Sequence, residues 1–225
     1  MEKIVVKISG ELFVATDNLR NVIDQIKIIS NNYNIGIVVG AGNIFRGVQN
    51  GKTLGIKRET GDIAGMVATM VNGLVLRDML ESANIKTKIL TSIDCPSVAD
   101  KITSEKINCA FDGDKVIIFV GGTGNSYFTT DTNAVLRGLQ IGAKQLLKGT
   151  KVDGLFDKDP KTNKDAKLIK NIKFDTVLEK KLKVMDLTAI AMALENNIKI
   201  RIFNIFEHNS IIKLLNDSNF GSTIE

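Results

Sequence analysis

The sequence predicts an α/β fold, a three-layer sandwich built on a mostly parallel central sheet. Three observations lead to this prediction. Short apolar runs rich in Ile and Val lack the alternation of a half-exposed strand, which is typical of strands covered on both faces. Amphipathic stretches separate these runs, as crossover helices do between parallel strands. With 225 residues, 44% of them hydrophobic, the chain can bury a sizeable core.

Six apolar runs are predicted to be strands of this sheet. They are Ile4–Ile8, Ile35–Val39, Lys86–Leu90, Val116–Val120, Gln145–Leu147 and Ile198–Phe203. The segments predicted to be helices are Leu19–Ile29, Ile63–Leu80, Asp131–Leu139 and Leu187–Leu194. In the first of these, apolar residues recur with the 3.6-residue period of a helix that buries one face. Ile63–Leu80 is apolar on nearly every side, so we expect it to be buried or to pack against a partner subunit.

The polar stretch Phe156–Lys173 is predicted to be an exposed loop, because it is dense in charges and contains Pro160. We expect a single domain over residues 1–225, with an N-terminal lobe of about 1–143 and a C-terminal lobe of about 144–225. The lone histidine, His208, is predicted to lie on the surface of a C-terminal helix.

Composition excludes several classes of protein. Two cysteines without a CxxC pair fit neither a disulfide scaffold nor a zinc site, and no metal held by protein ligands is expected. No apolar run reaches the roughly 18 residues of a membrane span, and charges interrupt the N-terminal apolar stretch, unlike a signal peptide. The net charge of +5 comes from scattered lysines, and aromatic residues make up only 5% of the chain. We therefore expect a cytoplasmic protein that binds neither membrane nor nucleic acid.

Three of the predicted strands end in small residues. The segments that follow them are Ser9-Gly10, Gly40–Asn43 and Gly121–Asn125. Because the carboxyl ends of parallel strands share one edge of the sheet, where ligands bind, we expect these three glycine loops to meet. Glycine lets backbone N–H groups approach an anion closely, and a helix N-terminus behind each loop adds partial positive charge. The pattern favours a phosphate-rich ligand.

Two standard phosphate-binding motifs are excluded. No stretch of the chain supplies the GxxxxGK[ST] pattern of a P-loop. The GxGxxG pattern of a dinucleotide-binding fold fails as well, because Phe45 and Tyr127 stand where the second and third glycine loops would need their third glycine.

Four charged residues lie around the glycine loops. Lys7, inside the first predicted strand, needs an anionic partner unless it reaches solvent at the strand end. Arg46 is placed to clamp a phosphate with two N–H groups. Asp62 and Asp131 begin the second and third predicted helices, so each could cap its helix. The alternative roles are a ligand contact for Asp62 and Mg²⁺ binding for Asp131.

These residues fall in motifs that resemble the bacterial-type UMP kinases, or uridylate kinases, of the amino-acid-kinase fold. The motifs are KISGE (Lys7–Glu11), VVGAGNIFRG (Val38–Gly47), GD (Gly61-Asp62), GTGNSYFTTD (Gly122–Asp131), TKVDGLFDKDP (Thr150–Pro160) and KVMDL (Lys183–Leu187). They occur in the family's order over nearly the whole chain. The TGNSYFTTD run distinguishes this branch from the acetylglutamate, aspartate and carbamate kinases.

The resemblance implies transfer of the ATP γ-phosphate to UMP, giving UDP and ADP, with Mg²⁺, in pyrimidine nucleotide biosynthesis. It also implies a homohexamer built as a trimer of dimers and feedback inhibition by UTP. The residues it implies for ATP are Lys7, Ile8, Ser9, Gly10, Gly42, Arg46, Thr150, Phe156 and Asp159. Those it implies for UMP are Ala41, Asp62, Thr123, Gly124, Asn125, Ser126, Tyr127, Phe128, Thr129 and Thr130.

The catalytic candidates are Lys7, Arg46, Asp131 and Asp186. Asp186 either orients Lys7 or the metal shell, or caps a helix. Phosphoryl transfer needs alignment and charge neutralisation above all. Since a UMP phosphate oxygen is already a nucleophile at neutral pH, no general base is required and His208 need not be catalytic.

Two departures from the family pattern concern substrate approach and regulation. Ala41 stands where the family often has a glycine, which leaves the backbone there slightly less free. The segment between Glu11 and Leu19 is several residues shorter than in many members. Members activated by GTP use that region, so GTP activation does not follow from the resemblance.

Three other functions compete with this interpretation. Another small-acid kinase of the same fold is the nearest. A nucleotide sensor without turnover is a second, although Lys7 and Arg46 together argue against it, because a sensor needs no clamp on a second phosphate. A nucleic-acid-binding module is the third, and it predicts binding that weakens strongly with salt.

Overall fold

The computed structural model describes residues 1–180, 182 and 184–225. Over these residues the chain forms a nine-stranded sheet with helices on both faces and a separate two-stranded hairpin. The predicted α/β class and the mostly parallel sheet are confirmed. Lys183, the first residue of the KVMDL motif, lies outside the described residues.

The strands are β1 (Glu2–Ile8), β2 (Tyr33–Val39), β3 (Thr87–Thr91), β4 (Asp100–Lys101), β5 (Val116–Val120), β6 (Gln145–Thr150), β7 (Leu155–Phe156), β8 (Leu168–Ile169), β9 (Asn171–Ile172), β10 (Lys199–Asn204) and β11 (Ser222–Ile224). The helices are α1 (Thr16–Ile29), α2 (Gly47–Leu54), α3 (Arg58–Ser82), α4 (Ser104–Asp112), α5 (Thr130–Ile141), α6 (Phe174–Glu179), α7 (Leu187–Glu195) and α8 (Ser210–Asn216). A 3-10 turn, Gly10–Val14, follows β1.

The strands of the large sheet follow the order β4-β3-β5-β2-β1-β6-β10-β11-β9. Neighbouring strands are parallel throughout, except that β10 and β11 are antiparallel. All six predicted strands are present. The central strands β2, β1 and β6 are parallel to one another, so their carboxyl ends lie at one edge of the sheet.

Two cores, one on each face of the sheet, explain why the strands lack alternation. Ile4, Val6 and Ile8 of β1 pack into a cluster with α1, α3 and α8. Val5, on the opposite face of the same strand, packs into a second cluster with α4, α5, α6 and α7. Because both faces are buried, every position of the strand favours an apolar side chain, and the three-layer arrangement follows.

Two predictions for the second half of the chain are wrong. β6 continues past Leu147 to Thr150, because Lys148 stays in register between β1 and β10. The stretch Phe156–Lys173 is not wholly a loop: Phe156 pairs with Leu168 in the β7–β8 hairpin, and Asn171–Ile172 joins the large sheet beside β11. Its charges occupy the tip of this hairpin, while apolar residues at either end make the pairing.

The long helix α3 differs from its prediction at its start. It begins at Arg58 rather than at Asp62, so Asp62 lies in the second turn and does not cap the helix. His208 also differs, since it is exposed as expected but lies in the turn before α8 rather than within a helix.

α3 also meets a length-and-composition test for a membrane span, contrary to the expectation that no segment would. On one side of α3, however, Met70, Leu76 and Leu80 pack into the core. The opposite side carries an apolar stripe, spaced four residues apart and 45–51% exposed, formed by Ile63, Val67, Val71 and Val75. One face of the helix is therefore buried, and the opposite face exposes a row of apolar side chains.

Candidate active site

The first two glycine loops meet at the carboxyl ends of β1 and β2, as predicted. The backbone N–H of Gly40 donates to the carbonyl of Ile8 at 2.9 Å. A Cβ on Gly10 would lie 2.7 Å from the backbone N of Gly42. Since real Cβ atoms do not come that close, only glycine allows these two backbones to approach each other.

Two lysines lie side by side on neighbouring central strands at this edge. Lys7 of β1 pairs in register with Lys148 of β6, and both ammonium groups contact Asp131. Lys7 Nζ lies 3.3 Å from Asp131 Oδ1, and Lys148 Nζ lies 2.5 Å from Asp131 Oδ2. The three side chains are only 8–16% exposed. Lys7 thus has the anionic partner that its position in a buried strand required.

The charges of this cluster depend on one another. Burial is the largest single influence on the pKa of Asp131, and it disfavours ionisation of the carboxyl group. The ammonium groups of Lys7 and Lys148 together outweigh burial and hold the pKa of Asp131 below its ordinary value. Burial lowers the pKa of Lys148 in spite of the attraction of Asp131. Two ammonium groups and one carboxylate leave a net charge of +1, which suits an anion that develops charge during a reaction.

Asp131 does not cap α5, so that alternative for it is wrong. The hydroxyl of Thr129 caps the helix, accepting from the backbone N–H of Asp131 at 3.0 Å and of Thr132 at 3.5 Å. The carboxylate of Asp131 is therefore free to serve the two lysines.

Asp186 is the N-cap of α7 and also ties that helix to α5. Its Oδ1 accepts from the backbone N–H of Ala189 at 2.9 Å and from the hydroxyl of Thr132 at 2.7 Å. Its Oδ2 accepts from the hydroxyl of Thr129. Of the two alternatives for Asp186, the geometry favours capping, and the same carboxylate holds Thr129 beside the lysine cluster.

Arg46 forms part of a second charge cluster at the same edge. Its Nη2 lies 2.6 Å from Glu11 Oε1, while its Nε donates to the carbonyl of Gly42 at 3.0 Å. Lys151, which follows β6, lies 2.6 Å from the other oxygen of Glu11. The hydrogen bond from Lys151, opposed in part by burial and aided by Arg46, lowers the pKa of Glu11. The carboxylate of Glu11 thus binds one cation from the segment after β2 and one from the segment after β6.

A cavity of about 250 Å³, here called the α3 pocket, lies between the second glycine loop, α3 and the third glycine loop. The predicted site residues that line it are Ala41, Gly42, Arg46, Asp62, Thr123, Phe128, Thr129 and Thr130. The other residues implied for UMP, Gly124–Tyr127, lie at the end of the third glycine loop and directly after it. Tyr127 is 67% exposed. The structure therefore brings most of the residues implied for UMP to one cavity.

Asp62 connects α3 with the third loop. Its carboxylate accepts from Arg58 Nε at 2.7 and 2.9 Å and from the backbone N–H of Tyr127 at 2.8 Å. Tyr127 has a φ of +71°, in the left-handed region that is uncommon for a non-glycine residue. Asp62 holds the loop in this conformation while lining the pocket.

A larger cavity of about 560 Å³, here called the hairpin pocket, lies between the ends of β6 and β10 and the β7–β8 hairpin. Thr150, Phe156 and Asp159, three residues implied for ATP, line it together with Lys148. The hydroxyl of Thr150 donates to the carbonyl of Val152 at 2.7 Å, so its polar atom shapes the turn after β6.

Of the remaining residues implied for ATP, Lys7, Ile8, Ser9 and Gly10 lie at the end of β1 and in the first glycine loop, whereas Gly42 and Arg46 line the α3 pocket. Ile8 is buried, and Ser9 caps the 3-10 turn by accepting from the backbone N–H of Glu11 at 3.4 Å. Lys148 lines the hairpin pocket, and Thr130, directly before Asp131, lines the α3 pocket. The lysine cluster therefore stands between the two cavities.

Sequence reasoning missed Lys148 and Asn72. Lys148 carries the same signal as Lys7, a lysine within an apolar strand, but the predicted strand ended at Leu147, directly before it. Asn72, 2% exposed, donates from Nδ2 to the Gly40 carbonyl at 2.7 Å and to Asn43 Oδ1 at 2.9 Å. The signal for Asn72 was an amide inside a helix that is otherwise apolar.

The carboxylates near the lysine cluster are not arranged to hold a metal ion with protein ligands alone. Within the part of the chain that the structure describes, no three His, Cys, Asp or Glu side chains are grouped to bind one. Asp131 is paired with two ammonium groups, Glu11 with two cations, and Asp186 with hydroxyls and an amide. A Mg²⁺ ion prefers several open oxygen ligands, which these groups do not offer.

Comparison with known proteins assigns this architecture to a family. Residues 2–204 match the amino acid kinase family. The chain belongs to the amino acid kinase family. The matched range includes the segments that form the lysine cluster and both pockets.

Within that family the chain is similar to uridylate kinases. It is 40% identical over 230 residues to the uridylate kinase of Psychrobacter cryohalolentis, with 99% of this chain and 95% of that protein covered. It is 40% identical over 225 residues to that of Mycoplasmoides gallisepticum, covering 96% and 95%. Among solved structures, the UMP kinase from Ureaplasma parvum superposes with a TM-score of 0.93 at 36% identity, covering 100% of this chain and 98% of that one. The UMP kinase from Bacillus anthracis gives 0.92 at 29%, covering 100% and 96%. The resemblance inferred from the motifs is confirmed.

Proposed function

We propose that the chain is a UMP kinase that transfers the γ-phosphate of ATP to UMP, giving UDP and ADP, in pyrimidine nucleotide biosynthesis. The observation that carries this proposal is the Lys7–Asp131–Lys148 cluster standing between two cavities. Two phosphate tails entering from opposite sides would meet at a net positive charge. The similarity to uridylate kinases over nearly the whole chain supports the choice of substrate.

In this proposal UMP binds in the α3 pocket and ATP in the hairpin pocket. Asp62 accepts from the ribose hydroxyls of UMP, while the loop Thr123–Thr130 contacts its uracil and phosphate. Phe156 and Asp159 contact the nucleoside of ATP, whose phosphates extend towards Gly10 and Lys7. The N-terminal lobe, about 1–143, supplies the UMP side, and the C-terminal lobe, about 144–225, supplies the pocket for the nucleoside of ATP, whose phosphates reach residues of the N-terminal lobe.

The residues at the junction neutralise charge and align the two substrates. Lys7 and Lys148 contact oxygens of the transferring phosphoryl group, and Arg46 holds the UMP phosphate against it. Backbone N–H groups of Gly10 and Gly42 bind nonbridging oxygens. Asp131 keeps the two ammonium groups together. No side chain needs to remove a proton, since the attacking phosphate oxygen is already ionised.

Mg²⁺ enters this reaction as part of the substrate. ATP phosphate oxygens supply the open oxygen ligands that the rim carboxylates lack, and we propose that the ion arrives as the Mg²⁺ complex of ATP. Every step assigned to Lys7, Lys148 and Arg46 concerns the charge of the phosphates themselves.

The decisive experiment measures ADP release with ATP and, separately, UMP, CMP, N-acetylglutamate and carbamate. We expect release with UMP far above that with the other acceptors. Preference for acetylglutamate or carbamate would assign the chain to another kinase of this fold. Binding of UMP without ADP release would make it a sensor.

We propose further that the protein is a cytoplasmic homohexamer, a trimer of dimers, inhibited by UTP. The exposed stripe on α3 supports contact between two copies, because an apolar helix face of this length is unfavourable in water. The two free cysteines suit a reducing compartment. Light scattering of Val71→Lys is expected to show a smaller assembly than that of Val14→Lys, a control at an exposed valine outside the α3 stripe.

A further inference from the structure

A buried guanidinium lies beneath the third glycine loop. Arg137 of α5 is 3% exposed. It donates to Ser92 Oγ at 2.6 Å, to the carbonyl of Gly122 at 2.9 Å and to Gln140 Oε1 at 2.5 Å. Its Nε has no hydrogen-bond partner among the described residues. Neither the phosphate-binding motifs nor the lysine cluster accounts for this side chain.

Arg137 is buried without a compensating carboxylate. Among the ion pairs formed by the described residues, none includes Arg137. Burial lowers its pKa to about 10, so the guanidinium is still charged at neutral pH. A buried charge served by neutral acceptors costs free energy. The hydrogen bonds that Arg137 makes must therefore offset this cost.

Those contacts fix one peptide group of the α3 pocket. The carbonyl of Gly122 accepts from Arg137 and also from Ser92 Oγ, the latter at 2.7 Å. Gly122 has a φ of +57° and lines the pocket directly before Thr123. One residue earlier, the N–H of Gly121 donates to Thr69 Oγ1 of α3 at 2.8 Å. The start of the loop is thus held from two sides, by α5 and by α3.

A second buried arginine provides a natural comparison. Arg201 of β10 is 8% exposed and donates to the carbonyls of Leu214, Asp217 and Phe220. Its Nε also lacks a hydrogen-bond partner in the part of the chain that the structure describes. These carbonyls lie at the end of α8 and in the segment after it. Arg201 therefore closes a structural turn with the same chemistry, and neither Arg201 nor the three residues it binds line the α3 pocket or the hairpin pocket.

We infer that Arg137 is a positioning residue for nucleoside monophosphate binding: it holds the Gly122 carbonyl, with Ser92, so that the loop Thr123–Thr130 faces its ligand. This inference rests on the assignment of UMP to the α3 pocket in the proposed function. It concerns the acceptor alone, because none of the hydrogen bonds that Arg137 makes with the described residues goes to a residue that lines the hairpin pocket.

The test compares Arg137→Met with Arg201→Met in steady-state kinetics. Arg137→Met is expected to raise the KM for UMP about tenfold or more, because small displacements of binding groups are costly, and to change the KM for ATP less than about twofold. Arg137→Lys, which keeps the charge and part of the donors, is expected to recover part of the loss. Arg201→Met is expected to lower the melting temperature and leave both KM values near those of the unchanged protein.

Equal increases in both KM values for Arg137→Met, or the same UMP-specific increase for Arg201→Met, would overturn the inference. If Arg137→Met fails to fold, Arg137→Lys and Ser92→Ala replace it, and an unchanged KM for UMP in both also overturns it. Lack of UMP-dependent ADP release by the unchanged protein is a different result. That would contradict the proposed function itself.

Discussion

The loops that form the α3 pocket are hydrogen-bonded to buried residues of α3, whereas the outer wall of the hairpin pocket is stabilised largely by hydrogen bonds within the hairpin. Thr69 and Asn72, both at most 5% exposed, hold the third and second glycine loops against α3. In the hairpin, Asp157 accepts from the backbone of Lys167 at 2.8 Å, and Asp159 from that of Lys161 at 2.9 Å.

This difference has a consequence for binding. A wall formed by core elements is pre-organised, so ligand binding there costs little ordering of the chain. A polar hairpin with exposed local bonds belongs to the less stable part of a fold and can adjust to its ligand. We therefore expect the acceptor side to be more selective than the donor side.

The largest effect is expected at the junction of the pockets, from Asp131→Asn. This change leaves Lys148 buried without its carboxylate, so we expect a loss of about 3–5 kcal/mol in the free energy of unfolding at neutral pH. Urea denaturation measures it. A double variant, Asp131→Asn with Lys148→Met, should regain part of the loss, because the unpaired charge is gone.

The same variant carries a pH dependence. Since the pKa of Asp131 is lowered in the folded state, its contribution is present above its ordinary value of 3.8 and is lost as the pH falls below that value. The difference in stability between the unchanged protein and Asp131→Asn should therefore shrink below about pH 4. A constant difference down to pH 2 would show that the carboxylate does not act through its charge.

Lys7→Ala is expected to lower the rate of UDP formation by a factor on the order of 10² or more while the protein stays folded. Lys7 is placed at the junction, so the effect should fall on kcat rather than on the KM of one substrate. Circular dichroism verifies folding. Lys3→Ala, near the start of β1 and away from the lysine cluster, is the matched control. Normal turnover by Lys7→Ala would remove this residue from the mechanism.

The residues at this junction show how much could be predicted from the sequence. The fold followed from short runs rich in apolar residues, and Lys7 stood out because it interrupts one of them. Lys148 broke one too, but it lies between Leu147 and Gly149, where the apolar pattern ends. Only strand pairing shows that it stands beside Lys7.

Other parts of the site depended on contacts between distant segments. The start of α3 could not be predicted, because Arg58 and Glu59 precede the apolar pattern that identified the helix. Arg137 resembles any arginine of an amphipathic helix until Ser92 and Gly122 are placed against it. Local sequence shows which residues are unusual, whereas the partners that explain them come from topology.

The contrast between the pockets is sharpened by a pair of substitutions. Asp62→Asn is expected to raise the KM for UMP about tenfold, as loss of a charged hydrogen-bond acceptor does, with little change in the KM for ATP. Phe156→Ala, in the hairpin pocket, should do the reverse to a smaller extent. Equal effects of Asp62→Asn on both substrates would contradict its assignment to the acceptor side.

The smallest effect is expected where the two walls are joined. Glu11 contacts Arg46, which lines the α3 pocket, and Lys151, which stands between two residues of the hairpin pocket. These pairs are partly exposed, so Glu11→Gln is expected to raise both KM values by only about threefold. Glu2→Gln, at the opposite end of β1, is the matched control and should change neither. A change confined to one substrate would mean that Glu11 serves a single pocket, and the two walls would then act independently.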